Sequence, residues 1–463
     1  MKGEKAINMK KVWKDLPYYD RISLNYIVKP IKWGGIVKYD FKNKNIYEGV
    51  ELCAVSAEGF KTACASMNFV MPLGEKASLY ALVPNVLTRS SKDYPDVTSV
   101  EKKLALLYGA EVIASVSKSG ENQVLKVEVS CIDDRFSIDG ESITDECLKL
   151  LFSMIFEPRL ENGVFCSDDV ESEKRLLAER LIAENSDKRA YAKNRCNEIM
   201  FENELYGIHR YGTIEDIEKI TPDALYEAYN EILNNSKILV CVSGGNFANV
   251  EELMEKYISD ENRNMELNET LFVEECEDEK YVKEQETVKQ GKLVMGFRMG
   301  MKNENDNYAA RRVMVDLFGG SPHSKLFTVV REKMSLCYYC SAMMFRQKGV
   351  MLVQSGIESY NEEKAKNAIL AQLEDIKNGN FSDDDIAASV KALEDGFRSI
   401  SDSAESVAGW FTSQICSDEF LYPEDFIEQF KKVTREDIIE AAKAVTLDTV
   451  FMLEGTVKGG VEE

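Results

Sequence analysis

With 463 residues, 44% of them hydrophobic, the chain is too long for one ordinary core and apolar enough for two to four domains. Its 80 acidic against 57 basic residues give a formal charge of −23. Phosphate neutralisation needs a basic face and none dominates, so nucleic-acid binding is excluded; acidity of this kind serves solubility.

In chain order, the first stretch, MKGEKAINMKKVWKDLPYYD, carries positive charges with no apolar segment behind them. No run anywhere approaches the ~20 apolar residues that cross a bilayer, so the expectation is a cytoplasmic protein with neither signal peptide nor membrane contact. Strands are predicted over ISLNYIVK (22–29) and FKTACASMNFVM (60–71), which alternate as half-buried strands do, and again over VLKVEVSC (124–131), KLVMGFRM (292–299) and GVMLVQSGI (349–357). Helical periodicity marks 100–107, 171–200, 308–318, 362–376 and 383–397. Eleven cysteines, odd in number and scattered, read as reduced thiols. Histidine occurs twice, as His209 and His323.

The chain is written twice. KITPDALYEAYNEILNNSKILVCVSGG (219–245) is echoed by KVTREDIIEAAKAVTLDTVFMLEG (432–455), each an amphipathic helix opened by a threonine, Thr221 or Thr434, and followed by an apolar strand. Leu225, Ala228, Tyr229 and Ile232 line the first helix at core spacing; Ile438, Ala441, Ala442 and Val445 line the second. Between the copies, 251–290 is dense in Glu and Lys, predicted as a short helix and then a solvated linker. This divides the chain into a first half (1–250), a charged linker (251–290) and a second half (291–463). The fold class is α+β, two homologous halves with a mainly antiparallel sheet each and helices on one face.

The segment LFGGSPHSKLFTVVREKMSLCYY (317–339) within such a two-half chain resembles the M16 metallopeptidases, the insulinase and mitochondrial-processing-peptidase family, over essentially the whole length. The resemblance implies a clamshell fold and assigns substrate-backbone binding to Arg331 and Tyr338, side chains able to donate hydrogen bonds to peptide carbonyls. It also places Gly319, Gly320, Ser321 and His323 beside the substrate. Active family members carry His-x-x-Glu-His on a helix of the first half, two His holding zinc and the Glu activating water. Aligned on Tyr94-Pro95 and Gly109, that motif reads Ala81-Leu82-Val83-Pro84-Asn85 here, and the remaining zinc ligand falls on Arg180, with Glu179 one residue off. The first 200 residues contain no histidine, so no shift of register restores the site. An Ala, Pro, Asn and Arg set supplies no ligand for a borderline metal. The resemblance therefore implies no zinc and no catalysis in this chain.

Other chemistries are weaker. Cys337 and Cys340, at odd separation in a strand, are expected on opposite faces, which suits neither a disulfide nor a metal. Gly319-Gly320-Ser321 follows a helix and lacks Gly-Lys-Ser/Thr, so a helix-ending turn with positive φ is expected in place of a phosphate cradle. His209 is expected to be a structural hydrogen-bonder. Two functions follow from the resemblance. One is a non-catalytic, substrate-gripping subunit whose sister chain carries His-x-x-Glu-His and the zinc, acting on unfolded peptide; inactive bacterial members of this kind are tied to 5-aminopentanol modification of elongation factor P. The alternative is an M16-derived scaffold with no part in peptide processing.

Overall fold

The computed structural model describes residues 39–57, 59–259, 263–276, 278–417 and 420–456; the strand expected over 22–29 lies outside them. The first half contributes strands Tyr39–Tyr47 (β1), Val50–Ala57 (β2), Thr62–Pro72 (β3), Glu111–Ser119 (β4), Asn122–Ile132 (β5) and Lys237–Ser243 (β6). The second contributes Lys280–Glu286 (β7), Gly291–Arg298 (β8), Cys337–Phe345 (β9), Val350–Ile357 (β10) and Thr446–Gly455 (β11). The helices that matter are Ala77–Leu87 (α1), Val97–Leu106 (α2), Ile143–Phe156 (α3), Ser167–Ser186 (α4), Lys188–Met200 (α5), Pro222–Asn235 (α6), Tyr308–Val315 (α7), Glu362–Lys377 (α8), Asp383–Ser399 (α9), Ala404–Thr412 (α10) and Arg435–Lys443 (α11).

The sequence repeat is the visible end of a repeat in topology. The first sheet runs β1-β2-β6-β3-β5-β4 and the second β7-β11-β8-β10-β9. From β2 onward the orders coincide strand for strand. So do the directions: β2 with β6 and β7 with β11 are parallel, and all the other pairs are antiparallel. The two echoed helices are capped as their threonines foretell, Thr221 Oγ1 accepting from Ala224 N at 3.2 Å and Thr434 closing a reciprocal box with Asp437. The 251–290 stretch begins with the short helix expected, Val250–Tyr257, but the part expected to be solvated linker contains β7, whose exposed, alternating KYVKEQE masks its role as an edge strand of the second sheet.

Two expectations change on folding. The helix predicted over 171–200 is broken at Asp187, whose carboxylate leaves α4 to accept from Arg189 N at 2.9 Å and so starts α5 in a new direction. The sheets are also covered on both faces, so β3 is buried nearly end to end instead of alternating. One face of each sheet packs against its own half's helices. The other is covered by exchange: Ala192, Cys196 and Met200 of α5 lie on Val294, Leu352 and Phe451 of the second sheet, while Ala404, Val407, Ala408 and Phe411 of α10 lie on Val55, Cys64, Leu239 and Cys241 of the first.

A buried charge network joins the halves. Lys348, fully buried, pairs with Glu121 and, at 2.6 Å, with Glu204; Arg298 bonds Glu204 at 2.7 Å and Asp448 at 2.7 Å. Among the described residues no helix is long and apolar enough to cross a membrane.

Candidate functional site

Two regions carry the residues singled out in the sequence. The first is α1, which would bear a metal motif. Ten of its eleven residues are buried. Ala81 is inaccessible to solvent, and Asn85 Nδ2 donates to the Ala81 carbonyl one turn back at 2.9 Å. Pro84 has no N–H to offer the Tyr80 carbonyl. The helix is roofed by its own chain: Thr213 N donates to Ser78 Oγ at 3.2 Å, Gln123 Nε2 donates to the Ala77 carbonyl at 3.0 Å, and Gly212, at φ +63°, brings its backbone against Ser78 where a Cβ would clash. His209 belongs to this roof. Its Nδ1 accepts from Tyr211 N at 3.3 Å and its Nε2 lies 3.3 Å from Glu184. Burial first, then the charge of Arg210, pushes its pKa down to about 4, so it is the structural hydrogen-bonder expected.

Arg180, at the position of the distant zinc ligand, is exposed, its guanidinium 5.7 Å over the Tyr211 ring. Of the other acids on α4, Arg89 holds Asp169 at 3.1 Å and Glu173 at 2.8 Å, and Glu179 is exposed. No group of three His, Cys, Asp or Glu converges as a metal would require, among the described residues. The donor set here does not fit zinc.

The second region is the corner from Asp316 to Tyr338, where helix gives way to β9, an edge strand. The chain makes two π-helical stretches, Asp316–Gly320 and Leu326–Lys333, a rare geometry that is frequent at functional sites. The glycines serve close approach and not positive φ, contrary to expectation: a Cβ on Gly319 would stand 2.7 Å from Ala342 N, and one on Gly320 2.8 Å from Asp316 Oδ1. That contact seats the Gly-Gly-Ser turn against the middle of β9, with Ser321 half-buried and His323 exposed at its rim. Arg331 stacks its guanidinium 4.4 Å from the Phe327 ring and keeps 37% of its side chain in solvent, with Glu332 3.6 Å away. Its charge acts on Cys337, the residue before Tyr338, so Arg331 and Tyr338 share one corner. Tyr338 is 60% exposed, and its hydroxyl donates to Glu358 at 2.7 Å, a bond that raises its pKa.

Cys337 and Cys340 do not lie on opposite faces. A bulge at Tyr338 pairs Cys337 with Ile357 and Cys340 with Ser355, so one residue is looped out of the ladder. Both thiols then enter the same side of the core, and the hydrogen bond from Cys340 brings Cys337 down to about 7. The same bulge throws Tyr338 outward. Glu358 and Phe327 were not singled out in the sequence; nothing in their spacing marks the partner of a tyrosine twenty residues away across a strand turn.

The profile of the peptidase M16 inactive domain matches residues 219–393. A Bacillus subtilis protein described as a probable inactive metalloprotease, YmfF, is 34% identical over 415 residues, covering 89% of this chain and 97% of the relative. The chain belongs to the M16 peptidase family. Within that family it is an inactive homologue, in keeping with the Ala81 to Asn85 corner. Among solved structures, a conserved protein from Enterococcus faecalis V583 superposes with a TM-score of 0.81 at 26% identity, covering 91% of this chain and all of that one. An M16 inactive domain from Pseudomonas fluorescens shares the fold, with a TM-score of 0.73 at 14% identity over 91% of this chain and 99% of that one.

Proposed function

We propose that this M16 homologue is the non-catalytic, substrate-gripping subunit of a two-chain zinc peptidase, its sister chain supplying the His-x-x-Glu-His helix and the metal. The observation that supports the reading is the contrast within one chain: the corner that would hold zinc is filled and roofed, while the other corner keeps the Arg331 guanidinium, on a π-helical stretch, and the Tyr338 side chain, on an edge strand, in contact with solvent. An extended peptide laid along that strand would meet a guanidinium and a phenol suited to its carbonyls. Gly320, Ser321 and His323 would line the approach, with the buried Gly319 seating the turn beneath them.

On this reading the pair forms a one-to-one heterodimer acting on unfolded peptides. A link to the 5-aminopentanol modification of elongation factor P is a proposal that rests on family resemblance. The test is co-expression with an M16 chain that carries His-x-x-Glu-His, then gel filtration and a zinc-dependent peptidase assay. Co-elution, with peptidase activity exceeding that of the sister chain alone, is expected. Separate elution at micromolar concentration with no gain in activity would hand the protein to the scaffold reading.

A further inference from the structure

Bordered by His209 and Arg210 of the α1 roof, the end of β4, α5 and the turn after β9 enclose a cavity of about 320 Å³ between the halves, within the size range of small-ligand sites. Its wall carries four cations, Lys118, Lys193, Arg210 and Lys348, against one acid, Glu198. Most of this charge is already matched: Lys348 by Glu121 and Glu204, Arg210 by Glu184, and Glu198 by Arg195.

Two cations have no such match. Lys118 donates only to the carbonyls of Tyr206, at 2.6 Å, and Ile208, at 3.1 Å, with its ammonium 4.1 Å over the Tyr206 ring. Lys193 makes no hydrogen bond or ion pair among the described residues. Burial first, then the neighbouring Arg210, lowers the pKa of both, Lys118 to about 8; Lys193 is among the charges that depress Lys118, and both line the same cavity. Unmatched ammonium groups in a half-enclosed cavity of a chain with net charge −23 make a local positive field against the sign of the whole.

We infer that this cavity binds a small oxyanion, a phosphate or carboxylate group held between Lys118 and Lys193, with the amides of Asn194 and Asn197 adding donors. Ammonium groups suit such ligands as point charges. Tyr206 and Phe345, also in the wall, would receive an apolar portion attached to the anion. The oxyanion has two sources, a free small molecule or the C-terminal carboxylate of a peptide.

Titration calorimetry in chloride-poor buffer separates them, using pyrophosphate and a short peptide prepared both as free acid and as C-terminal amide. The expected result is binding of pyrophosphate by the parent protein, weakened about tenfold or more in Lys193→Gln. Binding of the free-acid peptide but not the amide, with the same loss in Lys193→Gln, supports the site and assigns the peptide end as its occupant. Lys193 has no partner to abandon, so its variant folds even where Lys118→Met, which strips two carbonyls of their donor, does not. No binding of any probe, or equal affinity in parent and Lys193→Gln, overturns the inference.

Discussion

The α1 corner and the Arg331–Tyr338 corner belong to halves with the same strand order, and folding has treated them in opposite ways. In the first, small or apolar side chains let the helix sink: Ala81 is inaccessible, Asn85 turns back on its own helix and the 208–213 segment closes above. In the second, a bulge and two π-helical stretches hold polar groups out of the core, leaving Tyr338 60% exposed. A buried surface can be repacked once its chemistry is unused, whereas exposing a tyrosine on an edge strand and an arginine on the helix before it offers stability little. The difference teaches where to look for function in a pseudoenzyme: at the polar groups the fold still spends geometry on presenting.

The largest effect expected concerns the joint that sets the two regions in register. Lys348→Ala should lower stability by ~3–5 kcal/mol in urea denaturation, because Glu121 would remain buried without its cation and Glu204 would keep only Arg298. A loss well under that would mean the halves are not locked by the network. Next is the exposed corner. Arg331→Ala and Tyr338→Phe should each slow processing by the assembled complex on the order of 10²-fold while moving the unfolding midpoint by little, since neither is a core residue. Full activity in both variants beside a dead zinc mutant of the sister chain would reduce the pair to surface side chains.

The buried corner should respond in the reverse sense. Ala81→His cannot revive a metal site in a filled helix, and overpacking there should cost ~1–3 kcal/mol with no zinc retained by elemental analysis. A variant of parental stability that binds one zinc would erase the contrast. The smallest effect is a pH dependence in the roof. Burial holds folded His209 near 4 against ~6.5 when unfolded. Its stabilisation is therefore complete above about 6.5 and is lost as pH falls towards 4, by about 1 kcal/mol once solvent screening is allowed for. His209→Gln should flatten the stability profile between those values; an unchanged slope would place the titration elsewhere.

Local pattern sufficed for what depends on neighbours along the chain. The two threonine-capped helices and the central strands were legible, because caps and periodicity act within a few residues; the Ala81 to Asn85 and Arg180 positions were read through the family resemblance alone. Arg331 and Tyr338 were legible as residues, through the segment around them. Their presentation was not, since it depends on a bulge, and a bulge is set by how β9 registers on β10. The same dependence put Cys337 and Cys340 on one face, against their spacing.

Tertiary structure decided the rest, for one physical reason: burial is settled by which surfaces meet, and those surfaces lie far apart in the chain. KYVKEQE reads as solvated linker until β11 offers it an edge. The helix expected over 171–200 breaks at Asp187 because α5 covers the other half's sheet, and β3 loses its alternation because α10 returns the exchange. Lys118 and Lys193, unremarkable in sequence, become an unmatched charge pair only when β4 and α5 close on the same cavity.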